Sequence, residues 1–271
     1  MDSFIKIFMR DFYAYSVSLT ACCGAGIFCM ALGCEPAADF PLREGLCQMA
    51  LKGLIFDLDG VLVDTVPAHF SAWQRMFEEY GYPFGPREYR EQVDGLRRLE
   101  GAQAVMRDAP PEKVTQAAEL KNQYYLELIE QGCFKTFETS VRFIRQCEAR
   151  GLLLAAASSS VNVRYILKKA GISDAFAVVI GGDDVKKGKP DAEIFLSAAE
   201  KLGLSVPECV VFEDAASGVL AAKRGGFYCV GVDDNRDSGN LELADEIVTD
   251  LGMIDIDSFQ NRIDRLSVPR N

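Results

Sequence analysis

From residue 51 onward, short apolar runs alternate with stretches whose apolar positions recur at helical spacing. The runs at 54–56, 152–157, 176–180, 209–212 and 227–232 read as buried strands. A weaker run at 246–248 predicts a last strand at one edge of the sheet. Between them, 140–150, 162–170, 192–202 and 216–224 carry the amphipathic pattern of surface helices. Such alternation predicts an α/β fold, a doubly wound, mainly parallel sheet with helices on both faces. One stretch departs from it. Residues 66–134 show only helical patterns, interrupted by loops at 81–86 and 109–111. This predicts an inserted all-helical cap domain at 66–134, with the core formed by 49–65 and 135–271. Ligands in open α/β sheets bind beyond the carboxyl ends of the strands. An insertion directly after the first strand is therefore expected to lie over that end as a lid.

Composition narrows the partners. The 271 residues are 49% hydrophobic and 25% charged, enough apolar material for one large core or two smaller ones. That excludes a disordered chain, a fibrous repeat and a disulfide miniprotein. Lys and Arg total 29 against 40 Asp and Glu, a net charge of -11. An acidic surface repels a phosphate backbone, so no nucleic-acid partner is expected. An anionic small substrate requires cations or a metal gathered in one pocket. One histidine leaves no material for a His triad or a multi-His metal site. The acidic surface, with no long apolar stripe outside the core, predicts a monomer.

The first 48 residues differ from the rest. They hold five of the nine cysteines, and residues 12–33 contain no charge. That stretch is long enough to span a bilayer, but Ser16, Ser18, Thr20 and three glycines dilute it. Lys6 and Arg10 ahead of it resemble a secretory signal, which Asp2 and Asp11 interrupt. Met49 and the residues after it read as a natural start running into the first strand. Residues 1–48 are thus expected to be a start-site artefact or dispensable extension, with an anchor, a signal or a disordered leader as alternatives. Cys133, Cys147, Cys209 and Cys229 lack paired spacing and read as thiols of a reducing compartment. A cytoplasmic protein is expected, and a membrane partner only if 1–48 is a real anchor.

Candidate chemistry collects at strand ends. Asp57 and Asp59 follow the first strand and can face one crevice, with Gly60 allowing the turn. Close carboxylates repel, so they need a cation or a shared proton. Ser158, Ser159 and Ser160 follow the second strand, and Asn162 opens a helix. These groups suit either an N-cap or an anionic oxygen. Lys189, in Lys187-Gly188-Lys189-Pro190, reads as a solvated loop or as a point charge for a phosphate. Glu213 and Asp214 directly follow a buried strand, a donor set suited to Mg2+.

These four pieces, in this order, resemble the motif set of the haloacid dehalogenase superfamily over essentially all of 51–250. The resemblance implies a Rossmann-like core and a phosphotransferase with Mg2+ as cofactor. It implies that Asp57 is the nucleophile, forming an aspartyl-phosphate, and also a metal ligand. It makes Asp59 the general acid/base, and Ser158 and Lys189 the holders of the transferring phosphoryl group. Asp214, with Glu213 and the backbone carbonyl of Asp59, would complete the metal site. The physics agrees, because a carboxylate attacks a phosphate dianion only when charge is neutralised. Asp59 argues against the dehalogenase branch, since carbon–halogen displacement needs no acid there.

A finer resemblance is to the β-phosphoglucomutase-like group. Asp64-Thr65, His69-Phe70 and Ala72-Trp73 are similar to its hinge and first lid helix. His69 is either a satisfied helix residue or a group that positions Asp59 on closure. Arg98, within Val93-Asp94-Gly95-Leu96-Arg97-Arg98, is similar to the arginine that grips a distal phosphate, with Arg97 beside it. Lys121 and Asn122 resemble a lid pair facing the sugar; Thr65, Ser159 and Asn162 fall at substrate-contacting positions. The resemblance implies a small phosphorylated sugar as substrate, β-glucose 1-phosphate and glucose 6-phosphate being interconverted through a bisphosphate. Val161 departs from the group, which commonly carries lysine there. That favours the alternative, a phosphatase of sugar phosphates or other small phosphomonoesters.

Overall fold

The computed structural model describes residues 50–233 and 241–266. The 1–48 segment, with its anchor, signal and start-site readings, lies outside the described residues. Six strands form one sheet: β1 (Gly53–Phe56), β4 (Leu153–Ala157), β5 (Val178–Ile180), β6 (Cys209–Glu213), β7 (Tyr228–Val232) and β8 (Glu246–Val248). Their order is β5-β4-β1-β6-β7-β8, and every pairing is parallel. The weak strand expected at 246–248 is the edge strand β8. The central strand reads Gly-Leu-Ile-Phe and is buried throughout, as a strand covered on both faces must be. Leu54 and Phe56 enter one core with Phe143, Phe212 and Phe259, while Ile55 enters the other with Val211, Phe195 and Phe227. Phe56 stacks on Phe212 of the neighbouring strand at 4.7 Å.

The helices flanking the sheet are α5 (Glu138–Ala149), α6 (Val163–Lys169), α7 (Glu193–Leu202), α8 (Ala216–Arg224) and α9 (Ile256–Leu266). Strand β6 runs one residue past its apolar stretch, so Glu213 is itself a strand residue and fully buried. Strand β5 is shorter than 176–180, because residues 173–175 turn as a 3₁₀ helix just ahead of it.

After β1 the chain forms β2 (Val63–Asp64), which pairs antiparallel with β3 (Lys135–Thr136). Between these two strands lie helices only: α1 (Val66–Glu79), α2 (Pro86–Glu88) leading into a π-turn at Tyr89–Val93, α3 (Arg98–Val105) and α4 (Pro111–Glu130). Helix α1 packs chiefly on α4 through Ala68, Ala72, Trp73, Met76 and Phe77, spaced to share one face. A third interruption, residues 94–97, is not evident from the hydrophobic pattern. It turns at Gly95, whose φ of +70 is the left-handed region that glycine enters without a Cβ clash. Among the described residues no helix is long and apolar enough to cross a membrane.

Candidate active site

The carboxyl ends of β4, β1 and β6 are adjacent in the sheet, so the segments that leave them share one crevice. The candidate catalytic, metal-binding and substrate-binding residues line a single cavity of about 260 Å³, with the exception of Thr65. Leu58 is fully buried between Asp57 and Asp59, and its carbonyl accepts the Leu62 and Val63 N–H groups. That tight turn leaves both carboxylates facing the cavity. Gly60 has φ +77, and a Cβ there would fall 1.8 Å from Asp214 Oδ2. The turn after β1 and the acid after β6 therefore approach as only glycine permits.

Lys189 forms the floor. Its ammonium is buried, donates to Asp57 Oδ1 at 2.5 Å and makes a second ion pair with Glu213. Glu213 also accepts the Ala215 N–H at 2.7 Å, so both of its oxygens have protein partners. The sequence placed Glu213 with Asp214 at a metal; here it is also the counter-ion of Lys189. Burial opposes the Lys189 charge, but Asp57 and Glu213 hold its pKa above the usual lysine value. Burial, with Glu213 and Asp59 nearby, pushes the Asp57 carboxyl up to about 8 against the pull of Lys189. A lysine held charged beside an acid pushed towards neutrality is a conflict that the geometry resolves. One ammonium serves two carboxylates, so it stays charged while Asp57 remains under-neutralised. Burial and the negative neighbours Glu213, Asp94 and Asp57 likewise raise Asp214 well above the carboxylate range.

Asp59 is shifted the other way. Burial raises it, but His69, the Thr65 hydroxyl and Lys121 outweigh burial and hold it below the usual value. The Thr65 hydroxyl donates to Oδ1, and Ser158 Oγ donates to Oδ2 at 3.3 Å. Thr65 is fully buried and lies outside the cavity lining, so it contacts Asp59 instead of the cavity, where a substrate contact was expected. His69 Nε2 is 3.5 Å from Asp59 Oδ1, and its ring stacks on Tyr125 at 4.0 Å. Lys121 Nζ lies 2.7 Å from His69 Nδ1. With Lys121 as the ammonium, which has no lone pair, Nδ1 accepts and the ring proton sits on Nε2, towards Asp59. Lys121 is buried against the Trp73 and Tyr125 rings, backing His69 as well as lining the cavity. Burial, with Arg98 adding and Asp59 opposing, pushes Lys121 down to about 7.

The helical segment supplies the opposite wall. Asn162 Nδ2 donates to Asn122 Oδ1 at 2.8 Å, and Ser159 Oγ donates to the Gly95 carbonyl at 2.7 Å. Arg98 is half-buried, lines the cavity and has no hydrogen bond or ion pair among the described residues. Arg97 is engaged elsewhere, by Glu100 and by the Val185 carbonyl. Two further groups escaped sequence reasoning. Asp94 lines the cavity and is pushed up to about 6 by burial and by Glu213, while Tyr89 hydrogen-bonds to it. Their only sequence signal is an acid directly before the glycine of the 94–97 turn.

A hard cation suits this floor. Asp57, Asp59, Glu213 and Asp214 line one cavity, two of them paired with a buried ammonium, and all the donors are oxygens. Among the described residues no three His, Cys, Asp or Glu side chains hold a metal by themselves. Any ion here would also draw on a backbone carbonyl and water, the ligation Mg2+ favours.

Family comparison gives the same class. The model of the haloacid dehalogenase-like hydrolases matches residues 51–226. The chain belongs to that superfamily, in its β-phosphoglucomutase-like group, and is an enzyme of its phosphotransferase and phosphatase class. It is 33% identical over 208 residues to a β-phosphoglucomutase of Bacillus subtilis, covering 74% of this chain and 92% of that protein. It is 32% identical over 181 residues to a phosphorylated carbohydrates phosphatase of Thermotoga maritima, covering 65% and 82%. The crystal structure of β-phosphoglucomutase from Clostridium difficile superposes with TM-score 0.73 at 26% identity, over 81% of this chain and 100% of that one.

Proposed function

We propose that the protein is a Mg2+-dependent β-phosphoglucomutase, interconverting β-glucose 1-phosphate and glucose 6-phosphate through an aspartyl-phosphate on Asp57. The observation that carries this reading is Arg98, a cation without a protein partner among the described residues, on the wall opposite the nucleophile's floor. A mutase must hold a second phosphate there while the first reacts. A phosphatase needs no such group.

In the forward step an Asp57 oxygen forms a bond to phosphorus as the phosphorus–sugar oxygen bond breaks. Lys189 and Ser158 hold the phosphoryl oxygens. Asp57, Asp214 and the Asp59 carbonyl, with Glu213 beside them, would hold Mg2+, whose role is to neutralise charge between nucleophile and phosphoryl group. Asp59 is ionised in the free protein. A phosphate dianion beside it raises its pKa, so it takes up a proton and delivers it to the leaving oxygen. On return it removes the proton of the accepting hydroxyl. Thr65 and His69 orient it throughout. The segment 66–134 acts as a cap that keeps water from the aspartyl-phosphate while the bisphosphate turns over.

The second reading is a phosphatase of sugar phosphates or other small phosphomonoesters. Val161 favours it, since this apolar side chain lines the cavity where a further cation would help to hold a bisphosphate. Phosphorus NMR on the full chain separates the two, with Mg2+, β-glucose 1-phosphate and a trace of β-glucose 1,6-bisphosphate. Glucose 6-phosphate without inorganic phosphate establishes the mutase, and inorganic phosphate alone establishes the phosphatase. No change in the spectrum refutes both for this sugar.

A further inference from the structure

Arg97 has no place in the mechanism above, yet its side chain lies between the helical segment and the loop that delivers Lys189. Its Nε donates to Glu100 Oε1 at 3.0 Å, and a second guanidinium nitrogen binds the same oxygen. That grip aims Nη1 at the Val185 carbonyl, 3.1 Å away on the core. The loop is bare where Arg97 crosses it. A Cβ on Gly188 would fall 2.7 Å from Arg97 Nε, and one on Gly182 would fall 3.4 Å from its Cγ. Val185 is buried, so without Arg97 its carbonyl would have to find water. Other ties of the loop are internal to the core: Asp184 N–H to the Gly181 carbonyl, and the Lys186 and Lys187 N–H groups to Glu193. Among the described residues, Arg97 supplies the hydrogen bond that crosses to this loop from the helical segment, with Glu100 beside it at Gly188.

We propose that Arg97 is a positioning residue, a latch through which closure of the helical segment fixes the 181–188 loop and so seats Lys189 against Asp57. The proposal rests on the phosphotransferase reading. It assigns the adjacent arginines different tasks, Arg98 binding a second phosphate and Arg97 acting through Lys189 on the first.

Two readouts test it on the full chain. The first is phosphoryl transfer from β-glucose 1,6-bisphosphate, which carries two phosphates, and from acetyl phosphate, which carries one. Displacing a reacting group by about 1 Å costs on the order of 10²-fold in rate. Arg97→Ala is therefore expected to lower kcat by about 10²-fold with both donors and to leave KM nearly unchanged. An Arg97→Ala enzyme as fast as the wild type overturns the latch. So does a loss confined to the bisphosphate, which would make Arg97 a phosphate ligand. The second readout is amide exchange at Asp184, Lys186 and Lys187 without ligand, expected to be about tenfold faster in Arg97→Ala. Unchanged exchange also overturns the latch. Exchange needs no turnover, so a wild type inactive with both donors would sink the phosphotransferase reading while the latch is still judged on its own.

Discussion

Lys189→Met tests the floor of the site most directly. Methionine keeps the length and apolar stem of the lysine, whose ammonium lies 5.0 Å from the Phe195 ring, and removes only the charge. Asp57 and Glu213 then lose the buried cation they share. Breaking a buried pair by deleting one partner costs about 3–5 kcal/mol, because the remaining charge has no compensation. The cost depends on pH with a definite sign. The folded pKa of Lys189 lies above its unfolded value, so its contribution is constant from about pH 5 to about pH 8 and is lost only at higher pH. Asp57, already raised to about 8, rises further in the variant. A carboxyl with a raised folded pKa stabilises the protonated fold in acid and penalises the fold as pH increases, by about 1.4 kcal/mol for every tenfold gain in its proton affinity. Asp57 is protonated in wild type and variant alike below about pH 8, so the difference between them is smallest near pH 6 and is larger by up to about 1.4 kcal/mol near pH 9. Urea unfolding with EDTA at those two values measures it. Adding Glu213→Gln to Lys189→Met removes one orphaned charge and recovers part of the loss at the higher pH. A loss equal at both pH values, or larger in acid, would refute the argument.

Three other perturbations probe neighbouring parts of the site. Asp59→Asn keeps an acceptor for the Thr65 hydroxyl but cannot carry the proton, so turnover falls by about 10²–10⁴ while the melting temperature barely moves; turnover within tenfold of wild type contradicts the general acid/base role. Gly60→Ala forces a side chain into a left-handed φ and onto Asp214, so isothermal titration is expected to show weakened Mg2+ binding, and unchanged binding would detach Asp214 from the ion. Lys121 has a folded value of about 7, below its unfolded one, so the fold bears the full cost of its charge below that pH and the cost fades as pH rises towards the unfolded value. Lys121→Met is therefore expected to raise the melting temperature near pH 6 and to lose that gain by about pH 10. A lower melting temperature near pH 6 would mean that the contacts with Trp73 and Tyr125 outweigh burial.

What the sequence reveals depends on how local the cause is. Asp57, Asp59, Ser158 and Asp214 follow buried strands within a few residues, and parallel strands send their carboxyl ends to one side. Their convergence therefore follows from the apolar runs alone. Lys189 comes late in a loop but precedes a recognisable helix. The environment of Asp59 is less legible. Thr65, His69 and Lys121 reach it from the end of β2, from α1 and from α4, and the Lys121 contact joins residues 52 apart. No periodicity states which face of α4 meets which face of α1 at that height. Arg97 and Arg98 mark the limit most clearly. They are adjacent and identical, and only the start of a helix separates them. Arg97 is the cap, with extended backbone (φ -65, ψ 146), and Arg98 is the first helical residue. The change in backbone direction between the two turns one guanidinium to the Val185 carbonyl and the other to the cavity. A helix beginning one residue earlier would redirect both, so the assignment of phosphate ligand and latch rests on a boundary that hydrophobic patterning locates only to within a few residues.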